Sequence, residues 1–337
     1  MQRIFRTRSA RVGATVAALV FLAAVVLYLG HGKGFGPIQY VQLILDGIRG
    51  GSIYALIALG FVVVFNVTGI INFAQGGFVM LGAMLAVAFN NLDLPLPPAP
   101  KLALAVVFGV VGTTIIGALM ERLTIYPARR SHTLTLIIIT VGVYIFMQGM
   151  ALLIWGANAY NLPAFTTLAL EDHILRFGGI MLKAQSLWIW ATLAVVLVVL
   201  YFFFERTLLG KALRACSVNR RAAELMGINP SRMSLLSFAM AAALGAIGGI
   251  VLSPATRPIY DMGLKLGLKG FIAAIMGGMV SSPGAVVGGI LLGVLENVTA
   301  GVTKAGFKDI FAFVVLILIL LFRPQGIIGG GERGVEQ

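Results

Sequence analysis

Few side chains in this sequence could do acid–base, nucleophilic or metal chemistry, and their spacing limits what that chemistry is. His31, His132 and His173 fall in separate polar stretches, without the spacing a metal site needs, so no metal ligand is assigned. Cys216 is the single cysteine, which excludes an intrachain disulfide; in its basic stretch it reads as an inert thiol. There is no Walker-type phosphate loop and no Gly-x-Ser-x-Gly elbow, hence no local signature for nucleotide hydrolysis or acyl transfer. No catalytic residue and no cofactor is assigned to this chain.

What remains is a small set of polar residues inside apolar runs. A charge in a membrane span costs roughly 2.5–3.5 kcal/mol on insertion scales, so it normally finds a partner. Asp46 and Arg49 are three residues apart, share a helical face, and are expected to pair near the outer interface. Glu296, beside Asn297 and late in a glycine-rich run, reads either as a packing residue or as a solute ligand. Asn72 and Gln75 lie in the least regular apolar segment. Together with Glu296 they are the candidate pathway-lining residues. Acidic residues within the expected spans are limited to Asp46 and Glu296, which argues against a proton-relay pump.

The elements that must position these residues are membrane helices. The chain has 337 residues, 59% hydrophobic and only 11% charged, with a mean hydropathy of +0.99. An ordinary soluble domain is about 25% charged, so the expected class is an all-α polytopic membrane protein. Its 42 glycines point to close helix packing or deliberate helix breaks. The net charge of +13 suggests nucleic acid at first, but in a membrane chain it is better read as orientation, because Lys and Arg collect in cytoplasmic loops.

In chain order, a basic amino terminus (residues 1–11) precedes the apolar run Val12 to Leu29, which is longer than a signal-peptide core and is expected to be a retained first span. Tyr40 to Phe65 is followed by Asn66–Gly77, readable as an interrupted helix or as an ordinary turn between spans. Broken backbone at membrane depth is tolerated only where protein or a water-filled cavity covers it. Further runs are Phe78 to Phe89, Leu102 to Met120, Leu134 to Trp155, Gln185 to Phe204, Ser234 to Leu252, Ala285 to Ala300 and Phe311 to Phe322. Gly156 to Lys183 forms the largest outer segment, and Arg257 to Lys269 is also placed outside. Gly270 to Val280 is too short for a full crossing unless it begins near Leu264. The expectation is about ten transmembrane or partly spanning helices, with interrupted Gly-rich segments, in one transmembrane domain over 1–337 that ends in a cytoplasmic tail (residues 323–337).

One polar stretch, residues 206–232, stands out between two spans. Leu208, Ala212 and Ala215, then Ala222, Ala223 and Met226, give short apolar faces opposite Lys211, Arg214, Arg220 and Arg221. Asn219 can cap a second short helix, Gly227 can end it, and Asn229-Pro230 can begin the next element. Such a knob reads as a docking feature for a cytosolic partner; the plainer alternative is a solvated basic loop that only sets topology.

The assembled motifs resemble the membrane permease subunits of branched-chain amino-acid ABC importers. The likeness is carried by Gly51-Ser-Ile-Tyr-Ala-Leu-Ile-Ala-Leu-Gly60 with Gly69-Ile-Ile-Asn-Phe-Ala-Gln-Gly76, and by Thr207 to Asn229. It continues through Gly267 to Glu296, including Gly-Gly-Met-Val-Ser-Ser-Pro-Gly-Ala-Val-Val-Gly-Gly, and the closing Phe-Arg-Pro-Gln-Gly326. It spans roughly Gln42 to Gly326. The long basic amino-terminal run and the outer segment around Glu171 are less typical. The resemblance implies half of a translocation pathway in the bacterial inner membrane, with both termini cytoplasmic, and no enzyme activity in this chain. It also implies a homologous second permease, two cytosolic ATPase subunits carrying ATP and Mg, and an outer substrate-binding protein. The ATPases would grip Leu208, Ala212, Ala222, Ala223, Leu225 and Met226, with Arg221 and Glu224 tuning the fit and Gly227 closing the knob. Solutes of the family include branched-chain amino acids, urea, amides and aromatic acids. An ion-coupled secondary transporter and a facilitative channel stay open beside this reading; neither needs an ATPase.

Overall fold

The structure is a computed structural model that describes residues 28, 32–166, 174–303, 306, 308–323 and 325–328. The expected first span (residues 12–29), the centre of the outer segment (Glu171 to His173) and the end of the tail lie outside those residues, apart from Tyr28.

Eleven helices are described. They are α1 (Pro37–Thr68), α2 (Gln75–Asn90), α3 (Pro98–Met120), α4 (Thr133–Trp155) and α5 (Ala184–Arg206). Then come α6 (Leu208–Val218), α7 (Arg220–Leu225), α8 (Pro230–Leu252), α9 (Met262–Gly277), α10 (Ser282–Val302) and α11 (Lys308–Phe322). A π-helical turn, Glu121–Ile125, and a last turn, Tyr126–Ala128, carry α3 onward. Six helices are long and apolar enough to cross a membrane: α1, α3 with its extension, α4, α5, α8 and α10. The chain is thus an all-α, multi-pass membrane protein; the one small sheet among the described residues is the hairpin β1 (Ile174–Phe177) with β2 (Ile180–Lys183). Gln42 of α1 holds that hairpin through paired bonds with the Met181 backbone, each 2.9 Å.

Composition sorts the six into centre and rim. In their most apolar eighteen-residue stretches, half or more of α1, α8 and α10 is buried, whereas less than a quarter of α3, α4 and α5 is. Lipid tails are as apolar as leucine, so helices gather in a membrane by close van der Waals packing, and small residues permit it. The central seam shows this. A Cβ added to Gly51 would lie 2.6 Å from the Ile290 Cα, and one added to Gly293 would lie 2.3 Å from the Gly51 nitrogen. Gly47, Gly51 and Ala55 on α1 thereby meet Gly289 and Gly293 on α10, backbone against backbone. The rim helices instead present Val107, Val111 and Ile115, or Ile138, Ile145 and Leu153, as exposed side chains, the surface hydrocarbon would cover.

Between α1 and α2 the helix stops. Gly69 takes φ +71°, a conformation only glycine adopts freely, and its N–H caps α1 on the Phe65 carbonyl. The non-helical backbone that follows has its polar groups answered locally: Asn72 Oδ1 accepts from the Ala74 N–H at 3.1 Å, and Thr140 Oγ1 of α4 accepts from the Phe73 N–H at 3.1 Å. Ile70, Asn72 and Ala74 are buried, so protein covers this break.

Lys269 corrects an expectation. The sequence reading placed it in an outer loop before Gly270, unless the helix began near Leu264; it lies within α9, which begins at Met262, close to that earlier start. The helix starts early because Gly263 and Gly267 pack against Gly76 of α2, and that packing supplies the stability a lone charged helix would lack.

Candidate functional site

Two features of the bundle stand out: a knob at one end of it and a charge pair inside it. The knob follows from three caps. Thr207 Oγ1 accepts from the Gly210 N–H at 3.0 Å and starts α6. Asn219 Oδ1 accepts from the Ala222 N–H at 3.0 Å and starts α7. Asn229 Oδ1 accepts from the Ser231 and Arg232 N–H groups and, with Pro230 next, starts α8. Gly227, at φ +84°, turns the chain between the last two. Such caps are worth about 1 kcal/mol each, and they make rigid short helices that would fray alone.

The underside of the knob is a small core of Val67, Leu213, Cys216, Ala223 and Met233. Its outer surface carries Leu208, Leu225 and Met226, which are 85%, 89% and 83% exposed. Arg221, Ala222, Glu224 and Gly227 are exposed beside them, and Ala212 is half-buried. Ala223 is a correction to the grip residues: it is buried and fastens the knob to its own helices. Leu213, passed over in the sequence, and Cys216, read there only as an inert thiol, do the same work. The Glu205 and Arg214 side chains pair at 2.7 Å across the α5–α6 bend. Burial pushes the Cys216 thiol up from its ordinary value, more than Arg220 lowers it.

Inside the bundle, Glu296 of α10 is 2% exposed. It forms an ion pair with Lys269 of α9, and its second oxygen accepts a hydrogen bond from the Tyr54 hydroxyl of α1 at 2.7 Å. Lys269 also donates to the Tyr54 oxygen at 3.3 Å. Glu296 stands fourteen residues into α10, about 21 Å along its axis, where protein shields it from solvent. Three helices thus contribute one acid, one base and one hydroxyl to a single cluster around a buried carboxylate. Sequence reasoning found the acid and missed its base. The signal was present in the glycine spacing of Gly263, Gly267 and Gly270, which continues the helix back past Lys269.

Asn72 and Gln75 are both fully buried. Gln75 Nε2 donates to the Ala241 carbonyl of α8 at 2.9 Å, while its Oε1 and the Asn72 Nδ2 have no partner among the described residues. Gly60 of α1 and Gly245 of α8 leave the room that the Gln75 side chain fills. The three candidate pathway residues are therefore brought to two places, the helix break and the charge cluster. Asp46 and Arg49 pair at 3.4 Å, as their spacing predicts.

A bundle of apolar spans seamed by glycine, with charges sequestered in pairs and an ordered knob at one end, defines a membrane transport subunit. The family model described as the permease component of the branched-chain amino acid transport system matches residues 43–320, and the chain belongs to that family. Among curated relatives, the high-affinity branched-chain amino acid transport system permease protein BraD of Pseudomonas aeruginosa is 34% identical over 298 residues, covering 87% of this chain and 97% of that protein. The corresponding LivH of Escherichia coli is 33% identical over 305 residues, covering 88% and 97%. Among solved structures, PsaBC from Streptococcus pneumoniae in complex with Fab covers 89% of this chain and 97% of its own, at 14% identity and a TM-score of 0.44; that likeness carries no argument.

Proposed function

We propose that this chain is the pore-forming permease of an ATP-driven importer for branched-chain amino acids, supplying half of the translocation pathway in a bacterial inner membrane. The observation that carries the reading is the knob: a capped, packed pair of short helices that holds Leu208, Leu225 and Met226 in the open. A loop that only set topology would need neither the caps nor the small core beneath them. The names of the relatives supply the solute class.

In this reading two cytosolic ATPases, which bind ATP and Mg, press on the knob. The glycine seam between α1 and α10 passes the movement on as a rigid-body shift. A homologous second permease completes the pathway, and an outer binding protein delivers the solute. Asn72, Gln75 and Glu296 line the route in the conformation that opens it. The shorter helices α2, α9 and α11, together with the apolar run at 12–29, join the six long spans to give about ten full or partial crossings. Residues 1–337 then act as one domain with both termini cytoplasmic, and ATP hydrolysis belongs to the partners.

The test is capture of ATPase by the detergent-solubilised protein, with and without Glu224→Arg plus Gly227→Trp. Capture by the native chain and loss in the variant support the reading. An active assembly that purifies without any ATPase, and carries solute by ion coupling or passively, overturns it.

A further inference from the structure

The geometry points to a binding site for the phosphate of an anionic phospholipid in a cleft beside the knob. The cleft measures about 540 Å³ and lies between the π-helical turn of α3 and the α7–α8 junction. Arg122, Arg129 and Arg232 line it, with the Ser231 hydroxyl between them. Arg122 and Arg129 both lie over the Tyr126 ring, their guanidinium carbons 4.2 and 4.5 Å from its centroid. Arg129 also donates to Ser231 Oγ at 2.9 Å.

These guanidinium groups are held close together and remain available. Among the described residues none of the three has a carboxylate within salt-bridge distance. Two acids are near: Glu121, buried at the start of the π turn, and Glu224 on the rim of the cleft. Neither closes an ion pair with the arginines, although Arg122 and Arg129 act on the Glu121 carboxyl electrostatically. The Tyr126 ring attracts each cation, but the two guanidinium groups repel each other; an anion shared between them relieves that repulsion, and an arginine fork suits phosphate oxygens. The wide turn is part of the arrangement. The Tyr126 N–H reaches back to the Glu121 carbonyl, so Arg122 and Tyr126 are offset from an ordinary α spacing.

A lipid is favoured over a soluble anion by the exposed apolar residues close in sequence to Arg122 and Arg129. Leu119, at the end of α3, and Leu123, next to Arg122 in the π turn, lie one helical turn apart, and Leu134 lies in the first turn of α4; all three are exposed. An amphiphile can therefore lay its chains along these leucines while its phosphate meets the arginines. Basic pockets between helices at a membrane face bind anionic headgroups by this combination. Glu224 and Gly227 belong to both the cleft and the knob, so an occupied cleft braces the knob against α3. Unlike the pore reading, the lipid site needs no ATPase to be tested.

The test is native mass spectrometry of the full-length protein taken from nanodiscs of phosphatidylcholine with phosphatidylglycerol, counting retained phosphatidylglycerol. Retention should fall about tenfold for each guanidinium lost in Arg122→Gln and Arg129→Gln, and stay unchanged in Arg257→Gln, which lies away from the cleft. Tyr126→Leu keeps the charges but frees the arginines, so it should weaken retention less. If the glutamine variants fail to fold, wild-type protein suffices: phosphatidylglycerol should raise its melting temperature over phosphatidylcholine alone, and high salt should abolish the difference. Equal retention in wild type and variants overturns the proposal, as does a melting temperature indifferent to phosphatidylglycerol. Equal binding of glycerol 1-phosphate, which has the phosphate without chains, overturns the lipid assignment. Loss of ATPase capture by Arg122→Gln and Arg129→Gln in phosphatidylcholine alone also overturns it, because the cleft is then a protein contact.

Discussion

Lys269 of α9 and Glu296 of α10 form an ion pair inside the bundle, closed by the Tyr54 hydroxyl of α1. The pair is a joint between three helices, and its carboxylate is buried, where an unpaired charge is costly. Removing one partner of such a pair typically destabilises by about 3–5 kcal/mol, whereas replacing both with apolar groups of similar size is often neutral. Lys269→Met and Glu296→Leu alone should each lower the melting temperature of the detergent-solubilised protein strongly, and the double variant should recover most of that loss. Transport by the assembled importer separates two roles. A purely structural pair predicts recovered transport in the double variant; a pathway role predicts restored folding with transport still lost.

The seam between α1 and α10 gives a second prediction. Gly51 and Gly293 meet at backbone distance, and no rotamer change can make room there, because the atoms in the way belong to the main chain. Gly51→Leu and Gly293→Leu should each abolish accumulation of folded protein. Gly142→Leu, where a side chain meets nothing within 4 Å, should leave yield and monodispersity unchanged in size-exclusion chromatography.

Much of this architecture is legible in the sequence, for physical reasons. Long apolar runs can be read because hydrocarbon tolerates little else, and the caps at Asn219 and Asn229-Pro230 can be read because orphan N–H groups need specific acceptors. The pairing of Asp46 with Arg49 is local and follows from helical spacing. Lys269 was harder, since its partner is twenty-seven residues away and a lysine after polar residues looks like loop. Ala223 shows another limit. Alanine is apolar enough for either side of a short helix, and only the packing of Leu213, Cys216 and Met233 fixes that it points inward. The cleft around Tyr126 could not be read at all, because a π turn has no distinct sequence period.

Cys216 allows a prediction about pH. Its thiol is raised by burial, so the folded knob favours the protonated form. The corresponding stability is fully present below the thiol's unfolded value and is lost as pH rises through the folded one. At neutral pH the thiol should react with a maleimide far more slowly than a free cysteine, and unfolding the knob should restore the rate. Cys216→Ser should weaken the knob, by about 1–3 kcal/mol if the hydroxyl finds no partner in that apolar core. Labelling kinetics across pH, with and without denaturant, check both statements; fast labelling of the folded protein at neutral pH would contradict them.

Gln75 decides whether the helix break is packing or pathway. Its amide nitrogen reaches the Ala241 carbonyl, while its oxygen has no partner among the described residues. Gln75→Met keeps the volume, removes one hydrogen bond worth about 1 kcal/mol, and also removes an unpartnered buried oxygen. The two effects oppose each other, so the melting temperature should change little. Gln75→Glu places an acid in the same site without a cation beside it, and should destabilise the protein severely or force the carboxyl to stay protonated. If the break only packs helices together, solute uptake by Gln75→Met should match wild type once corrected for expression. A pathway role predicts a fall in uptake at unchanged stability, because the polar group lost is one the solute meets when the neighbouring helices part.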